Sequence, residues 1–327
     1  MKVKDKFLCL AAIVKCRVFG KAIPLAVRLQ LTNRCTLQCK YCKLWQTESK
    51  ELNTAEVFSL LDELAKLGTK RISFSGGEPL LREDIAEIFR YAGTKGMYSE
   101  MNCNGTLVSR NIEKLTDLDF LKLSLDGPPE VHDFLRGKGS YEKVIEAADI
   151  CKKKGIRFGF ATTLTKYNID KLDEILAIAK KYETIAAFQP IKKLYRGISD
   201  ISELSPGEKE FKIAIERLII TKRSGNKNIR NSLRGLQHIY DWPRYEKLRC
   251  WAGKIFCIIE ANGDVMPCDR ISYNSKLPNC LEPDMKQAWA ILPAVVCSGC
   301  GFCGSLELNY LMSFKPGILG SIRKILG

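Results

Sequence analysis

Three cysteines fall within eight residues: Cys35, Cys39 and Cys42, just after an apolar stretch that closes at Leu31. Thiolates are soft ligands, and three at the spacing C-x3-C-x2-C can wrap one side of a metal centre. A tetrahedral zinc site asks for a fourth ligand, usually Cys or His. The chain has two histidines, His132 and His238, and neither neighbours the triplet. Three local thiolates without a fourth suit a [4Fe-4S] cluster that leaves one iron open to another ligand. A second group lies far downstream: Cys250, Cys257, Cys268, Cys280, Cys297, Cys300 and Cys303. Gly263 is placed to open a tight hairpin that brings Cys250 and Cys268 together, and Cys297 and Cys300 form a C-x2-C step. Four such thiolates can hold a further cluster, or a zinc ion.

Fourteen cysteines in 327 residues, most of them clustered, read as metal ligands in a reducing compartment rather than as a secreted disulfide frame. Cys9, Cys16, Cys103 and Cys151 lie among apolar residues and are expected as buried thiols. The stretch 7–14 behind Lys2, Lys4 and Lys6 imitates a signal peptide. Lys15 and Arg17 follow it directly, with no small-residue cleavage site. No apolar run approaches bilayer-spanning length, so a cytoplasmic protein is expected. With 46% hydrophobic and 27% charged residues, disorder and coiled coil are excluded. The net charge of +15 favours an anionic partner.

The elements that must position these residues are legible as repeats. Strands are expected at 25–32, 70–75, 98–103, 119–125, 156–163 and 185–190. Helices are expected at 54–67, 82–95, 108–116, 141–154, 168–181 and 206–223, the first capped by Thr54 and ended by Gly68. Repeated βα units make a parallel α/β sheet, open or rolled into a barrel, with functional residues at the C-terminal ends of strands. Residues 224–249 read as a polar linker, and 250–312 as a Cys-rich unit held by metal more than by a core.

At those strand ends stand Ser75-Gly76-Gly77-Glu78-Pro79, then Asn102-Cys103-Asn104-Gly105, then Ser124-Leu125-Asp126-Gly127, and then Val131 to Gly137 with Arg136. Glycines admit close backbone approach, Glu78 offers a carboxylate to an ammonium, and Ser124 and Asp126 can bond hydroxyls, with Asn104 close by in the same layer. Taken in order with the C-x3-C-x2-C triplet, these segments resemble the signature of radical S-adenosylmethionine (SAM) enzymes. The resemblance covers about 25–195 and implies a partial (β/α) barrel, with Cys35, Cys39 and Cys42 on the SAM-binding cluster. It implies a SAM shell of Tyr41 (against adenine), Gly76, Gly77, Glu78, Asn104, Ser124, Asp126 and Arg136 (on the SAM carboxylate). It also implies reductive cleavage of SAM to a 5′-deoxyadenosyl radical that takes hydrogen from a substrate, with ferredoxin or flavodoxin as reductant.

The downstream group resembles the SPASM and Twitch extensions that carry auxiliary clusters, though it is shorter than a full SPASM domain. That resemblance implies one auxiliary [4Fe-4S] cluster on Cys250, Cys268, Cys297 and Cys300. Cys257, Cys280 and Cys303 are surplus, available to a second cluster, as replacements for one of these four, or as plain thiols. The domains expected are 1–24 (basic amphipathic segment), 25–223 (barrel), 224–249 (linker), 250–312 (auxiliary domain) and 313–327 (basic amphipathic tail). Val3, Phe7, Leu10, Val14 and Val18 recur at helical spacing in a segment of net charge +6 over residues 1–28. Ile318, Ile322, Ile325 and Leu326 form a second stripe. Packing on the barrel is the reading put first for both, with peripheral contact with anionic lipid beside it, and no nucleic-acid motif accompanies the charge. The expected substrate is a peptide first, then a lipid or a tetrapyrrole or cofactor precursor. No catalytic acid, base or radical-bearing side chain can be named without it. The alternative of a different class is a non-catalytic iron-sulfur or zinc protein, an electron carrier or redox sensor, which would not need the SAM shell.

Overall fold

The computed structural model describes residues 3–313, apart from 192–193, 196–198, 201, 246–247, 272, 274, 294 and 296–299. Helix α1 (Val3–Phe19) leads into β1 (Ala26–Thr32). There follow α2 (Thr54–Leu67), β2 (Arg71–Gly76), α3 (Ile85–Thr94), β3 (Tyr98–Cys103), α4 (Val108–Asn111) and β4 (Phe120–Ser124). Next come α5 (Pro129–Arg136), α6 (Ser140–Lys154), β5 (Phe158–Leu164), α7 (Leu172–Lys181), β6 (Ala186–Pro190) and a short pair, β7 (Leu194–Tyr195) with β8 (Ser199–Asp200). The chain closes with α8 (Glu208–Arg223), α9 (Leu233–Tyr240), β9 (Phe256–Ile259), β10 (Val265–Met266), α10 (Met285–Ala290) and α11 (Cys303–Ser313). Among the described residues no helix is long and apolar enough to cross a membrane.

β1 through β6 pair in parallel, each with its successor, as crossover helices require. Side-chain alternation sorts the two faces of this sheet. Val27, Leu29 and Leu31 of β1, with Leu121 and Leu123 of β4, join the main core beneath α2 and α3. The alternate set, including Arg28, Ser73, Glu100, Lys122 and Ser124, lines a cavity inside the curved sheet.

Three sequence expectations differ here. The cap of α2 is Asn53, whose side chain accepts from the Glu56 N–H while Glu56 reaches back, a complete capping box; Thr54 is the first helical residue. The stretch expected as a linker carries α9, because Leu236 and Ile239 find a buried face beside α8. The Cys-rich section opens with β9, which pairs in parallel with β1, so it extends the barrel sheet by β9 and β10. On α1, Ile13 and Cys16 pack against Trp251, while Val14, Val18 and Phe19 of the expected stripe and its end are exposed. The tail 314–327 lies outside the described residues.

Candidate functional site

The cysteine triplet occupies the loop that leaves β1 at the C-terminal edge of the sheet. The loop is pinned from three sides. The Gly77 N–H donates to the Thr32 carbonyl and the Glu78 N–H to the Arg34 carbonyl, both at 2.8 Å, and the Lys40 N–H donates to the Leu135 carbonyl of α5 at 2.9 Å. The two glycines are needed for this closeness. A Cβ on Gly76 would sit 2.1 Å from the Thr32 carbonyl oxygen, and one on Gly77 2.0 Å from that of Arg34. The backbone they approach is that of the cysteine loop, where the sequence suggested a bound ligand.

The thiols lie close enough to act on one another. Burial first, and the neighbouring Cys42 and Cys35 in addition, push the Cys39 thiol up to about 11, and Cys35 is raised by burial and then by Glu78 and Cys42. Donors point at two of the sulfurs: Asn104 Nδ2 lies 3.7 Å from Cys35 Sγ and Arg136 Nη1 4.0 Å from Cys39 Sγ. Among the described residues no three His, Cys, Asp or Glu side chains close on the geometry of a single ion. A polynuclear cluster spreads its thiolates more widely than one ion with bonds of about 2.3 Å. Three facing thiols with amide and guanidinium donors fit such a cluster, since thiolate sulfurs ligate iron and hydrogen bonds to them stabilise the charge.

Behind the thiols lies a buried network. Asp126 is fully buried, and it accepts from Arg136 Nε at 2.6 Å, from the Tyr41 hydroxyl and from the Thr163 N–H at 2.9 Å. Arg136 also lies over the Tyr41 ring, 5.5 Å from its centre. Burial pushes Tyr41 well up, and Asp126 and Tyr41 hold Arg136 charged against its own desolvation. These three expected SAM contacts are therefore bonded first to each other. His132 accepts the Asp126 N–H on Nδ1 at 3.2 Å, and burial lowers its pKa to about 4, so it is a neutral brace. Glu78 is buried too. Its carboxylate takes the Leu80 N–H at 3.2 Å and the Asn104 N–H at 2.8 Å, tying the β2 loop to the β3 loop, and burial lifts it to about 7. Asn104 bonds Thr36 and Thr106. Ser124 lines the cavity together with Arg136.

The described downstream thiols separate into four places. Cys250 and Cys268 pack on one cluster around Trp251, and the Tyr273 phenol stands in the field of both. Asn309 Nδ2 lies 3.9 Å from Cys250 Sγ. Cys300 borders the core near Tyr245, and Cys297 lies outside the described residues. Cys257 and Cys280 belong instead to the main core, where burial raises both, Cys280 to about 12. Cys303 begins α11 and lines the barrel cavity near Lys122 and Arg230. Gly263 does make the tight turn between β9 and β10, at φ +90°. Cys16, Cys103 and Cys151 are buried, as expected of structural thiols.

The Radical SAM superfamily profile matches residues 29–179. The AdoMet-dependent heme synthase of Methanosarcina barkeri is 30% identical over 268 residues, covering 75% of this chain and 76% of that protein. This chain belongs to the radical SAM superfamily. The Fe-coproporphyrin III synthase of the same organism is 34% identical over 170 residues, half of this chain but only 43% of that protein. Streptococcus suis SuiB shares the fold in its complexes with S-adenosylmethionine (17% identity, TM-score 0.69, 86% of this chain and 69% of that one) and with the precursor peptide SuiA (18%, 0.69, 86% and 68%). As a radical SAM protein the chain is an enzyme whose cofactors are SAM and a [4Fe-4S] cluster, which sets aside the non-catalytic carrier.

Sequence reasoning about this radical SAM site missed the charged residues inside the barrel: Arg28, Arg71, Glu100, Lys122 and Arg230. A signal existed. Glu100 and Lys122 interrupt two apolar strands at inward positions of the alternation, where a charge is costly unless it is used.

Proposed function

We propose that the enzyme is a radical SAM oxidoreductase with one auxiliary cluster, acting on a carboxylated tetrapyrrole. The observation that carries the reading is the convergence of three thiols, Glu78 and the Asp126–Arg136–Tyr41 network at the C-terminal mouth of a barrel enclosing a cavity of about 380 Å³. Cys35, Cys39 and Cys42 would hold the SAM cluster, with Asn104 and Arg136 donating toward its sulfurs. When bound and reduced, cluster and SAM supply a 5′-deoxyadenosyl radical that takes a hydrogen from substrate. The chain's part is to orient and to exclude water. Glu78 would fix the two loops that face the SAM amino group, Ser124 would stand on the ribose side, and Asp126 would hold Arg136 and Tyr41 in place, with Tyr41 flanking the adenine. Cys250, Cys268, Cys297 and Cys300 would hold the auxiliary cluster, and Cys268 and Cys303 give it a path to the cavity wall.

The tetrapyrrole moves ahead of the peptide that the sequence put first, because both Methanosarcina relatives bear tetrapyrrole-synthesis names and one of them aligns over three quarters of each chain. Incubating anaerobically reconstituted enzyme, SAM and flavodoxin or dithionite with coproporphyrin III or its iron complex tests this by mass spectrometry. Loss of carboxyl mass or of hydrogen, dependent on SAM, is expected. An unaltered tetrapyrrole from protein that consumes SAM on a peptide would reverse the order. Contact of α1 with anionic lipid is a separate proposal supported by exposed Val14, Val18 and Phe19 beside Lys15 and Arg17. Sedimentation with phosphatidylglycerol vesicles, lost in Val18→Asp, is the expected result.

A further inference from the structure

The floor of the barrel cavity is more cationic than its fold requires. Glu100 projects inward from the middle of β3 and is shared by two cations, Arg71 from β2 at 3.3 Å and Lys122 from β4. A third, Arg230, approaches from the segment before α9, its guanidinium 5.4 Å from the centre of the Phe120 ring. Among the described residues, then, three cations stand around Glu100; a second carboxylate, Glu307, also lines the cavity, and positive charge remains in excess. The field is felt on both sides. Burial opposes ionisation of Glu100, yet Lys122, Arg71 and Arg230 together bring it down to about 2. Lys122 is lowered, by burial first and then by Arg230 and Arg71, in spite of its bond to Glu100. Next to this group Arg28 pairs with Asp269, and its Nε is buried without a hydrogen-bond partner.

A structural ion pair balances its charges, because each buried charge left uncompensated is expensive. An excess of positive charge in a partly enclosed, largely apolar space suits the binding of an anion. Apolar residues, Phe120, Ile258 and Phe302 among them, line the cavity beside the charged group. Lys122 stands two residues below Ser124 on β4, so the floor lies about 7 Å from the level of the radical-generating mouth. At about 380 Å³ the space sits near the lower end of small-molecule sites, enough for one arm of a larger molecule.

We propose that Arg71, Lys122 and Arg230 form a carboxylate-binding floor, which seats one carboxylate arm of the substrate and thereby sets which carbon faces the barrel mouth. The inference rests on the reading of the mouth as the radical-generating end. It deepens that reading by assigning the substrate's anionic anchor to residues outside the SAM shell. The floor is a recognition site: its residues hold the anion by charge-assisted hydrogen bonds and take no part in hydrogen transfer.

The test is binding to the full, anaerobically reconstituted protein by equilibrium dialysis in two arms. One compares coproporphyrin III with its tetraamide, and the other a blocked hydrophobic tripeptide as free acid and as amide. The carboxylate is expected to bind at least tenfold more tightly than its neutral partner in one arm, and that arm names the source of the carboxylate. Arg230→Gln and Arg71→Gln should each cut this preference threefold or more and leave amide binding as it was; Arg230→Lys should restore part of it. Arg230 borders the cavity from a loop, so its variant reads the effect should Arg71→Gln fold poorly. Equal binding of acid and amide in both arms, no binding in either, or a preference intact in correctly folded variants would overturn the proposal. Failure of the radical reading looks different: no 5′-deoxyadenosine from wild-type protein while the carboxylate preference stands.

Discussion

Replacing Asp126 by Asn keeps the shape of the side chain and its acceptance of the Thr163 N–H but removes the charge facing Arg136. In the native protein the two side chains are 0% and 9% exposed and 2.6 Å apart. Removing one partner of a buried pair strands the other charge in a medium that cannot solvate it, at about 3–5 kcal/mol. Arg136 keeps the Tyr41 ring as a neighbour, which places the expected loss toward the low end, near 3 kcal/mol. At about 2.1 cal/mol/K of unfolding entropy per residue, a chain of 327 residues moves its Tm by roughly 1.5 °C per kcal/mol, so Asp126→Asn should melt about 4–5 °C lower by circular dichroism. The double variant Asp126→Asn/Arg136→Met should be less damaged than the sum of the singles, with a coupling of about 2 kcal/mol between residues in direct contact. A single variant that melts within about 2 °C of wild type, or singles that simply add, would refute the claim that this pair is buried and mutually compensating.

Other consequences follow from the same geometry. Gly77→Ala places a Cβ against the Arg34 carbonyl, displaces the cysteine loop and should lower iron incorporation at the triplet by more than half, read by iron analysis and electron paramagnetic resonance. Glu78, raised from 4.5 to about 7, holds its proton in the folded state over a window where the unfolded chain has lost it. Stability of the iron-free protein should therefore fall as pH rises from about 4.5 to about 7, by at most about 3 kcal/mol, and Glu78→Gln should flatten that slope in a pH series of melts. Cys268→Ala should cut iron from about eight to about four atoms per chain, while Cys257→Ala, in the apolar core, should leave the iron content alone and cost about 1 kcal/mol.

Much of the barrel was readable in the chain because local signals and tertiary need agree there. The six parallel strands fall within two residues of their expected bounds, since apolar alternation and turn glycines mark both ends. The helix Pro129–Arg136 was not read as such, because half of its positions are polar and its apolar face is set by contact with the cysteine loop. Asn53 competes with Thr54 for the α2 cap, and only the geometry of Glu56 decides. Motif order pointed to Cys35, Glu78, Asp126 and Arg136, but not to their bonding with one another, which depends on which loops the sheet brings side by side. The fates of Cys257, Cys280 and Cys303 were equally out of reach. Their spacing is that of ligands, and only the fold separates Cys280 in the core from Cys303 on the cavity wall, with Cys257 of β9 bordering both.

The most direct test of the central claim is formation of 5′-deoxyadenosine by anaerobically reconstituted, dithionite-reduced protein supplied with SAM, beside a Cys35→Ala/Cys39→Ala/Cys42→Ala control. Product from the native chain and none from the control is the predicted result. No product from iron-loaded, reduced native protein, or equal product from the control, would contradict the assignment of the triplet to the SAM cluster.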